Sequence, residues 1–321
     1  MATPSTIRLL PGITGLGALS LLALATAAAP LLVYSITLAT LGLAHIAVEM
    51  RYVEGRFGPR LSRALVRGFL LLLGAVVVLR ILRVAGLLGA EGAPLELVIV
   101  AGLVALVTVD LGAAVGPVRR VGALAIGIAA VLAIGAGLAP IPTLLLLGVL
   151  HNWTPLGFVA EATSGAERRR WLWLGAIAFI ALPGLLASGV LHSWTEAWGL
   201  RDATVLPTGP LTAQLGAYLP RAMHAERWAI PVFSAITFAQ CMHYAAVLGV
   251  LPLFAPRAPA GPLTRLSWPV YLGLILLGTL VLLAGYSDDF RSARQVYGIA
   301  AAVHAWVELP LLLLALRPRP A

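Results

Sequence analysis

The chain alternates long apolar runs with short arginine-containing connections along almost its whole length. A run of about 20 apolar residues is long enough to cross the roughly 30 Å hydrocarbon core of a bilayer as an α-helix. Such runs lie at about 9–29, 30–50, 68–88, 95–116, 121–138, 141–161, 171–191, 228–252, 267–286 and 296–316. The pattern predicts an all-α protein, a polytopic transmembrane helix bundle of about ten spans, with residues 1–321 in a single integral-membrane domain.

The composition agrees with this pattern. Apolar residues make up 60% of the chain and charged residues only 11%, whereas a soluble domain averages about 45–50% and about 25%. A soluble enzyme is therefore excluded. Cys241 is the only cysteine in the sequence, which excludes an intramolecular disulfide and a CxxC zinc or redox motif.

The charge distribution predicts an orientation in the membrane. All 22 basic residues are arginines, and the formal net charge is +9. The arginines lie mostly in short loops between apolar runs, so they follow the positive-inside rule and do not indicate a nucleic-acid partner. Fifteen lie on one side and seven on the other. We therefore expect a protein of the bacterial inner (plasma) membrane with both termini in the cytoplasm. Membrane lipid is an expected partner, and homo-oligomerisation is left open.

Two connections and one pair of arginines carry more specific expectations. Residues 193–227 contain three prolines and are predicted to form an outer cap loop. Residues 51–67 alternate arginine with apolar residues at helical spacing, which predicts an interfacial helix on anionic lipid. Arg80 and Arg83 lie in the far half of the third span, and their long side chains are expected to extend outward to the headgroups.

Ionisable groups inside apolar spans are costly, so each is a functional candidate by default. They concentrate on the even-numbered spans, which suggests one shared interior site. These residues and their polar neighbours are His45, Glu49, Asp110, His151, Asn152, Gln240, His243, Tyr244, His304 and Glu308.

The spacing H-x-x-x-E occurs twice in this set, at His45/Glu49 and at His304/Glu308. Residues four apart lie on one helix face, about 5–6 Å apart at Cβ, so both side chains can face one ion. Imidazole and carboxylate together suit iron, zinc or manganese better than calcium or magnesium. We predict that His45, His151, His243 and His304 bind a metal.

Glu49 and Glu308 are predicted as further ligands or as catalytic acids that orient the site. This set of four imidazoles and two carboxylates fits one or two non-haem iron ions; zinc, manganese and haem are the alternatives. Tyr244 is assigned a catalytic role beside the metal, and Asn152 and Gln240 are assigned to cofactor binding as partners that orient imidazoles. Asp110 is included in the cofactor-binding set; pairing with an arginine or tyrosine is its favoured role, and metal ligation is the alternative.

A third copy of the spacing, His192-Ser-Trp-Thr-Glu196, is assigned differently. Trp194 and Trp198 flank it, and tryptophans mark the headgroup belt of a membrane protein. We therefore expect His192 at the outer interface, away from the metal. His224, in the same outer loop, is expected to be solvated.

The segment Gly42-Leu-Ala-His45-Ile-Ala-Val-Glu49 resembles the early G-x-P-H-G-A-x-D signature of the Brp/Blh family, the membrane-embedded iron-dependent dioxygenases that cleave β-carotene to retinal. The resemblance implies that His45 is an iron ligand, that Glu49 takes the position of the aspartate, and that further intramembrane histidines complete the site. Ala44 and Ile46 replace the proline and the second glycine of the signature, and the family's closely spaced C-terminal histidine pair is absent from the sequence.

These observations predict a membrane-embedded non-haem iron oxidoreductase or oxygenase. The resemblance to the Brp/Blh family implies, more specifically, a dioxygenase. Its substrate would be a hydrophobic small molecule such as a carotenoid, an isoprenoid, a quinone or a lipid, with O₂ as the second substrate. One alternative is a proton- or metal-ion-coupled transporter or channel that uses the same histidines as a relay. A further alternative is a haem-binding electron-transfer protein.

Overall fold

The computed structural model describes residues 12–111, 117–256 and 260–316, with the side chains of 12–14, 16, 109–111 and 117–119 outside the described set. The fold is 84% helical and contains no strand in these ranges. The predicted all-α class is confirmed.

The described helices are labelled in chain order. They are α1 (Gly12–Ala28), α2 (Pro30–Phe57), α3 (Arg63–Val84), α4 (Gly92–Leu111), α5 (Pro117–Leu138), α6 (Pro140–His151), α7 (Thr154–Ala162), α8 (Gly165–Ala176), α9 (Leu182–Ala187), α10 (Val190–Thr195), α11 (Leu211–Gln214), α12 (Ala229–Ala245), α13 (Pro262–Arg265), α14 (Trp268–Asp288) and α15 (Phe290–Ala315). A π-helical segment, Ile177–Ala181, joins α8 to α9, and another, Ala246–Val250, extends α12.

Eight described helical runs are long and apolar enough to cross a membrane. They are Pro30–Arg60, Arg63–Val84, Arg120–Leu138, Pro140–Ala162, Gly165–Ala187, Ala229–Phe254, Trp268–Asp288 and Phe290–Ala315. Two shorter apolar helices, Gly17–Ala28 and Gly92–Thr108, coincide with the first and fourth predicted spans. The chain is thus an integral membrane protein by the length and composition of its helices; the count of ten spans stays a prediction.

Helix boundaries follow from local chemistry. Pro30 and Pro140 are the first residues of α2 and α6, where a missing N–H costs nothing and the fixed φ favours the helix. The carboxylate of Asp289 caps α15 by accepting from the backbone N–H groups of Arg291 and Ser292 at 2.9 and 3.1 Å. Hydrogen bonds from Ser292 lower the pKa of Asp289 below its ordinary value, so the charged cap persists at neutral pH.

Three helices form the centre of the bundle. About half of the apolar stretch of α2, of the α12 run and of α15 is buried (50%, 56% and 50%), against 11% for α14. Peripheral helices expose large apolar side chains such as Leu71 (74%) and Leu138 (82%), as a lipid-facing surface requires. The central helices carry His45, His243 and His304, so these imidazoles lie in the most enclosed part of the fold.

The predicted interfacial helix over residues 51–67 is wrong. Helix α2 continues to Phe57, a 3₁₀ turn follows at Gly58–Arg60, and α3 begins at Arg63. Two arginines of this segment contact a carboxylate of the protein: Arg56 and Arg60 donate to the two oxygens of Glu161 at 2.8 and 2.9 Å, whereas Arg63 and Arg67 are exposed. The helical spacing of the arginines could not reveal their partner, because Glu161 lies over 100 residues further along the chain.

Arg51 has a similar internal role. Its guanidinium donates to the carbonyl oxygens of Leu263 and Leu266 at 2.6 and 2.8 Å and lies 4.5 Å from the ring centroid of Trp268. A planar guanidinium can satisfy several carbonyls while it stacks on an aromatic face. It therefore ties the turn before α14 to α2.

The outward direction predicted for Arg80 is also wrong. Arg80 donates to the fully buried carboxylate of Glu96 at 2.6 Å and to the carbonyl oxygen of Gly298 at 2.9 Å. The indole N–H of Trp306 donates to the same oxygen of Glu96 at 2.8 Å, and Arg83 lies 3.7 Å from the other oxygen. A buried charge must be paired, so these contacts hold α3, α4 and α15 together.

The segment 193–227 packs over one end of the bundle. Leu211, Leu215 and Leu219 are buried in one apolar cluster with Leu31 and Phe233, which belong to α2 and α12. Because these leucines recur every four residues, the segment presents one apolar face to the membrane helices.

We predict that Glu96→Gln lowers the free energy of unfolding by about 1.5–3 kcal/mol, the usual cost of losing hydrogen bonds to a charged group. The amide cannot neutralise Arg80. Thermal unfolding of the purified protein in detergent measures the change. Glu167→Gln is the control, since Glu167 is exposed and surface substitutions change stability by about 0.5 kcal/mol or less. Equal stabilities of the two variants would contradict the prediction.

Candidate metal centre

Four histidines from four different helices meet inside the bundle. His45 lies on α2, His243 on α12 and His304 on α15, and all three are buried. His151 is the last residue of α6, and its side chain is 12% exposed. Each helix therefore contributes one imidazole to the same interior position, as the pattern of polar residues on even-numbered spans predicted.

The spacing of the imidazole nitrogens fits a shared ion. One ring nitrogen from each of the four histidines lies within 4.8 Å of all the others, and the Nε2 atoms of His45 and His304 are 3.2 Å apart. Two nitrogens bound to one ion at about 2.0–2.1 Å lie roughly 3–4 Å apart. The closest pair already has this separation, and the wider pairs exceed it by less than an ångström.

Two carboxylates face the imidazoles. Glu308 Oε2 lies 2.8 Å from Nδ1 of His151, and Glu49 Oε2 lies 3.4 Å from Nε2 of His243. Both glutamates are fully buried. Glu49, His304 and Glu308 also form a second group whose ligand atoms lie within 4.8 Å of one another.

Several polar atoms of this cluster lack a hydrogen-bonding partner within the described ranges. They include both oxygens of Glu49, Oε1 of Glu308 and Nδ1 of His243. Buried polar atoms are normally satisfied, because an unpaired one pays its full desolvation cost. The donor set is therefore that of a cation site: anionic oxygens and imidazole nitrogens directed at one another with few other partners.

The break between α6 and α7 positions one corner of the site. The chain turns at Asn152 and Trp153, and Pro155 follows in the first turn of α7. The hydroxyl of Thr154 lies 2.5 Å from Oε2 of Glu308 and 2.8 Å from the carbonyl oxygen of His151. Pro155 has no N–H to satisfy that carbonyl. The single hydroxyl proton of Thr154 lies within reach of both this carbonyl and Glu308, so the two acceptors share it.

The Tyr244 ring stacks on His45, with the ring centroids 4.1 Å apart and an interplanar angle of 29°. The amide of Gln240 donates to the Tyr244 hydroxyl at 2.9 Å, and its oxygen accepts a short hydrogen bond from the Tyr218 hydroxyl. Gln240 thus acts on the imidazoles through Tyr244. This series of contacts connects the segment 193–227 to the cluster.

The remaining predicted cofactor-binding residues have other surroundings. The side-chain amide of Asn152 donates to the carbonyl oxygen of Val149 at 3.1 Å, so its own helix engages it at the edge of the site. The side chain of Asp110 lies outside the described residues. The assignment of Asn152, Gln240 and Asp110 to cofactor binding stays a prediction.

His192 and His224 lie away from the cluster. Nε2 of His192 is 3.0 Å from the Ser234 hydroxyl, and Ser234 precedes His243 on α12 by nine residues, or about 14 Å of helix. Burial and the nearby Arg201 lower the pKa of His192 below its ordinary value. His224 Nε2 lies 3.0 Å from the carbonyl oxygen of Leu219.

A cavity of about 540 Å³ adjoins the cluster. All four histidines, Tyr244 and Gln240 line it, together with the arginines 80, 83 and 294.

Sequence reasoning missed the contribution of Glu96, Thr154 and Tyr218. An acid in the fourth apolar run, opposite two arginines in the third, was the available signal for Glu96; nothing in the sequence distinguishes Thr154 or Tyr218 from other helix residues.

Comparison of the chain with protein-family models, curated proteins and solved structures gave no match. The resemblance of residues 42–49 to the Brp/Blh signature therefore stays a prediction, and the site has to be interpreted from its own chemistry.

We predict that Thr154→Val weakens metal retention by about 10–100-fold, the usual effect of removing a hydrogen bond to a ligand. The substitution keeps the shape of the side chain but releases Glu308. Thr163→Val is the matched control, because Thr163 is also buried and its hydroxyl donates only to the backbone oxygen of Val159, at 2.7 Å. Chelator titration of both variants, followed by metal analysis, measures the difference; equal retention would contradict it.

Proposed function

We propose that the protein is a membrane-embedded oxidoreductase whose metal, iron, is held by His45, His151, His243 and His304. The observation that carries the proposal is the set of four imidazole nitrogens within 4.8 Å of one another in the interior of the bundle. A single intramembrane histidine often serves only to bind a neighbouring helix. Here four histidines converge from four helices, with two buried glutamates beside them. Contact between neighbouring helices does not require so many ionisable groups at one point.

The choice of metal follows from the donor set. Nitrogen-rich sites with carboxylates suit transition metals, whereas magnesium and calcium prefer oxygen alone. The proximity of four rings around one point also favours a single ion or an ion pair over haem, since a haem macrocycle separates its two axial ligands and needs space around them. The second group of ligand atoms, from Glu49, His304 and Glu308, supports a site for two ions that share His304.

Iron in such a site supplies redox chemistry with O₂. The residues of the chain have supporting roles. Glu308 and Thr154 fix the His151 corner, Tyr244 holds the His45 ring by stacking, and the surrounding apolar helices exclude water from reactive species. The adjoining cavity of about 540 Å³ is large enough for a small-molecule substrate, for which we propose a lipid, isoprenoid or carotenoid.

We further propose ten spans with both termini in the cytoplasm and a bacterial inner membrane as the location. The distribution of the arginines supports this orientation. In this arrangement the segment 193–227 lies on the outer side, over the end of the cavity.

Protein purified in detergent is expected to contain one or two equivalents of iron and to show no Soret band. His243→Ala and His304→Ala should lose the metal while the protein still inserts and folds, since each removes a ligand directly. Metal analysis at matched expression, together with an absorption spectrum, provides the measurement.

His192→Ala is the control, because this histidine contacts Ser234 outside the cluster and should keep its metal content. A strong Soret band would favour a haem protein. Wild-type metal content in all three variants, or no metal in any preparation, would contradict the iron proposal; the absence of metal would favour a proton or ion relay through the same histidines.

The orientation is tested by reporter fusions. Reporters placed after Ser164 and after Thr204 should lie on opposite sides of the membrane, with Ser164 in the cytoplasm. The run from Gly165 to Ala187 separates them. If both reporters lie on the same side, the run does not cross the membrane and the proposed topology is wrong.

A further inference from the structure

The part of the cavity away from the histidines has a basic wall. Arg294, on α15, is half-buried and lines the cavity. Its Nη1 atom donates to Gln214 Oε1 at 2.8 Å and to the Tyr34 hydroxyl at 3.2 Å. Both partners are neutral. Within the described ranges its remaining guanidinium donors, Nε and Nη2, have no hydrogen-bond acceptor.

Arg80 and Arg83 extend this wall. Both line the same cavity, and they share the single carboxylate of Glu96, at 2.6 Å from Arg80 and 3.7 Å from Arg83. Arg80 also donates to the backbone oxygen of Gly298, one helical turn after Arg294. All three guanidinium groups therefore line one cavity, and Arg80 contacts α15 one turn from Arg294.

The charges along the cavity do not balance. Glu49 and Glu308 can neutralise a divalent ion among the histidines, and Glu96 neutralises Arg80. Glu96 also lies 3.7 Å from Arg83, so one carboxylate serves two arginines, and Arg294 has no carboxylate in the described contacts. Positive charges enclosed by membrane helices are expensive unless they are paired, so the Arg294 end of the cavity suits an anion.

The path between the basic wall and the metal ligands is open. Gly298, Ala301, Ala302 and Ala305 line the cavity along α15. Arg80 occupies the space beside Gly298, and the small side chains of the three alanines leave room for a ligand beside the helix. Arg294 precedes His304 by ten residues, which is about 15 Å of helix. A molecule bound by its anionic end at Arg294 would therefore extend along this face toward the imidazoles.

We propose that the Arg294 end of the cavity binds the anionic headgroup, a carboxylate or phosphate, of an amphiphilic substrate. The headgroup contacts Arg294, and the apolar chain lies along the small residues of α15 with its reactive part at the histidines. This inference deepens the proposed oxidoreductase function and rests on it for the fate of the chain, but headgroup binding can be measured without any activity.

The probe is radiolabelled oleate, with oleyl phosphate, oleyl alcohol, acetate and inorganic phosphate as unlabelled competitors. Wild-type protein in detergent should bind oleate, and oleyl phosphate should compete at least about tenfold better than oleyl alcohol. Arg294→Gln should weaken oleate binding by about 10–100-fold, the range for a hydrogen bond between charged groups, without changing competition by oleyl alcohol. Arg294→Lys keeps the charge and should retain most of the binding.

Arg291→Gln is the matched control, since Arg291 lies one turn earlier on α15 and is exposed; it should bind oleate like the wild type. Displacement of oleate by acetate or inorganic phosphate as readily as by oleyl phosphate would show a small-anion site and overturn the amphiphile assignment. Equal competition by alcohol and phosphate, or equal losses in Arg294→Gln and Arg291→Gln, would overturn the headgroup site. So would a loss in Arg294→Lys as large as in Arg294→Gln.

Metal content is measured on every preparation, which separates the two proposals. Loss of oleate selectivity with wild-type metal content contradicts only the headgroup site. Metal-free protein that still prefers oleate over oleyl alcohol contradicts the oxidoreductase function and supports the headgroup site.

Discussion

The cost of burying charge in an apolar membrane protein is the constraint on which this structure depends. Two glutamates and four histidines lie inside a bundle with few other polar partners. Outside water, each must be matched by hydrogen bonds, by an opposite charge or by a cation. Glu96 meets this requirement with protein groups, through Arg80, Arg83 and Trp306. Glu308 meets it only in part, because His151 and Thr154 contact its Oε2 atom and Oε1 has no hydrogen-bonding partner in the described ranges. Oε2 of Glu49 lies 3.4 Å from Nε2 of His243, but neither Glu49 oxygen makes a hydrogen bond in the described ranges. A metal ion is the simplest group that satisfies these oxygens together with the imidazoles.

The same constraint explains the division of the bundle into central and peripheral helices. Helices α2, α12 and α15 are the most enclosed and carry three of the four clustered histidines, whereas α14 directs leucines such as Leu276 and Leu277 outward. Lipid tails are as apolar as these leucines, so they provide little force for association. The choice of central helices therefore depends largely on the polar contacts among them and on the packing around those contacts.

The cavity connects two electrostatically different regions along one helix. Toward the end of the bundle under the segment 193–227 its wall is basic, with Arg294 anchored to Gln214 and Tyr34. Near the break between α6 and α7 it meets the imidazoles. Small residues of α15 lie between these regions. An enclosed site with this polarity can bind an elongated molecule in one direction, because the anionic end is stabilised at only one of the two regions.

The sequence by itself determined the class of fold and the identity of the clustered residues. Apolar run length is a local property, and so is the four-residue spacing of His45/Glu49 and His304/Glu308; a costly ionisable group inside a span is visible without knowing its partner. The tertiary structure decided what those groups contact. Arg56 and Arg60 bind Glu161, Arg80 turns inward to Glu96, and Thr154 meets Glu308 across 154 residues. Such pairings depend on how each helix is rotated and which neighbour it packs against. In a chain whose helices are apolar on nearly every side, periodicity does not encode that rotation.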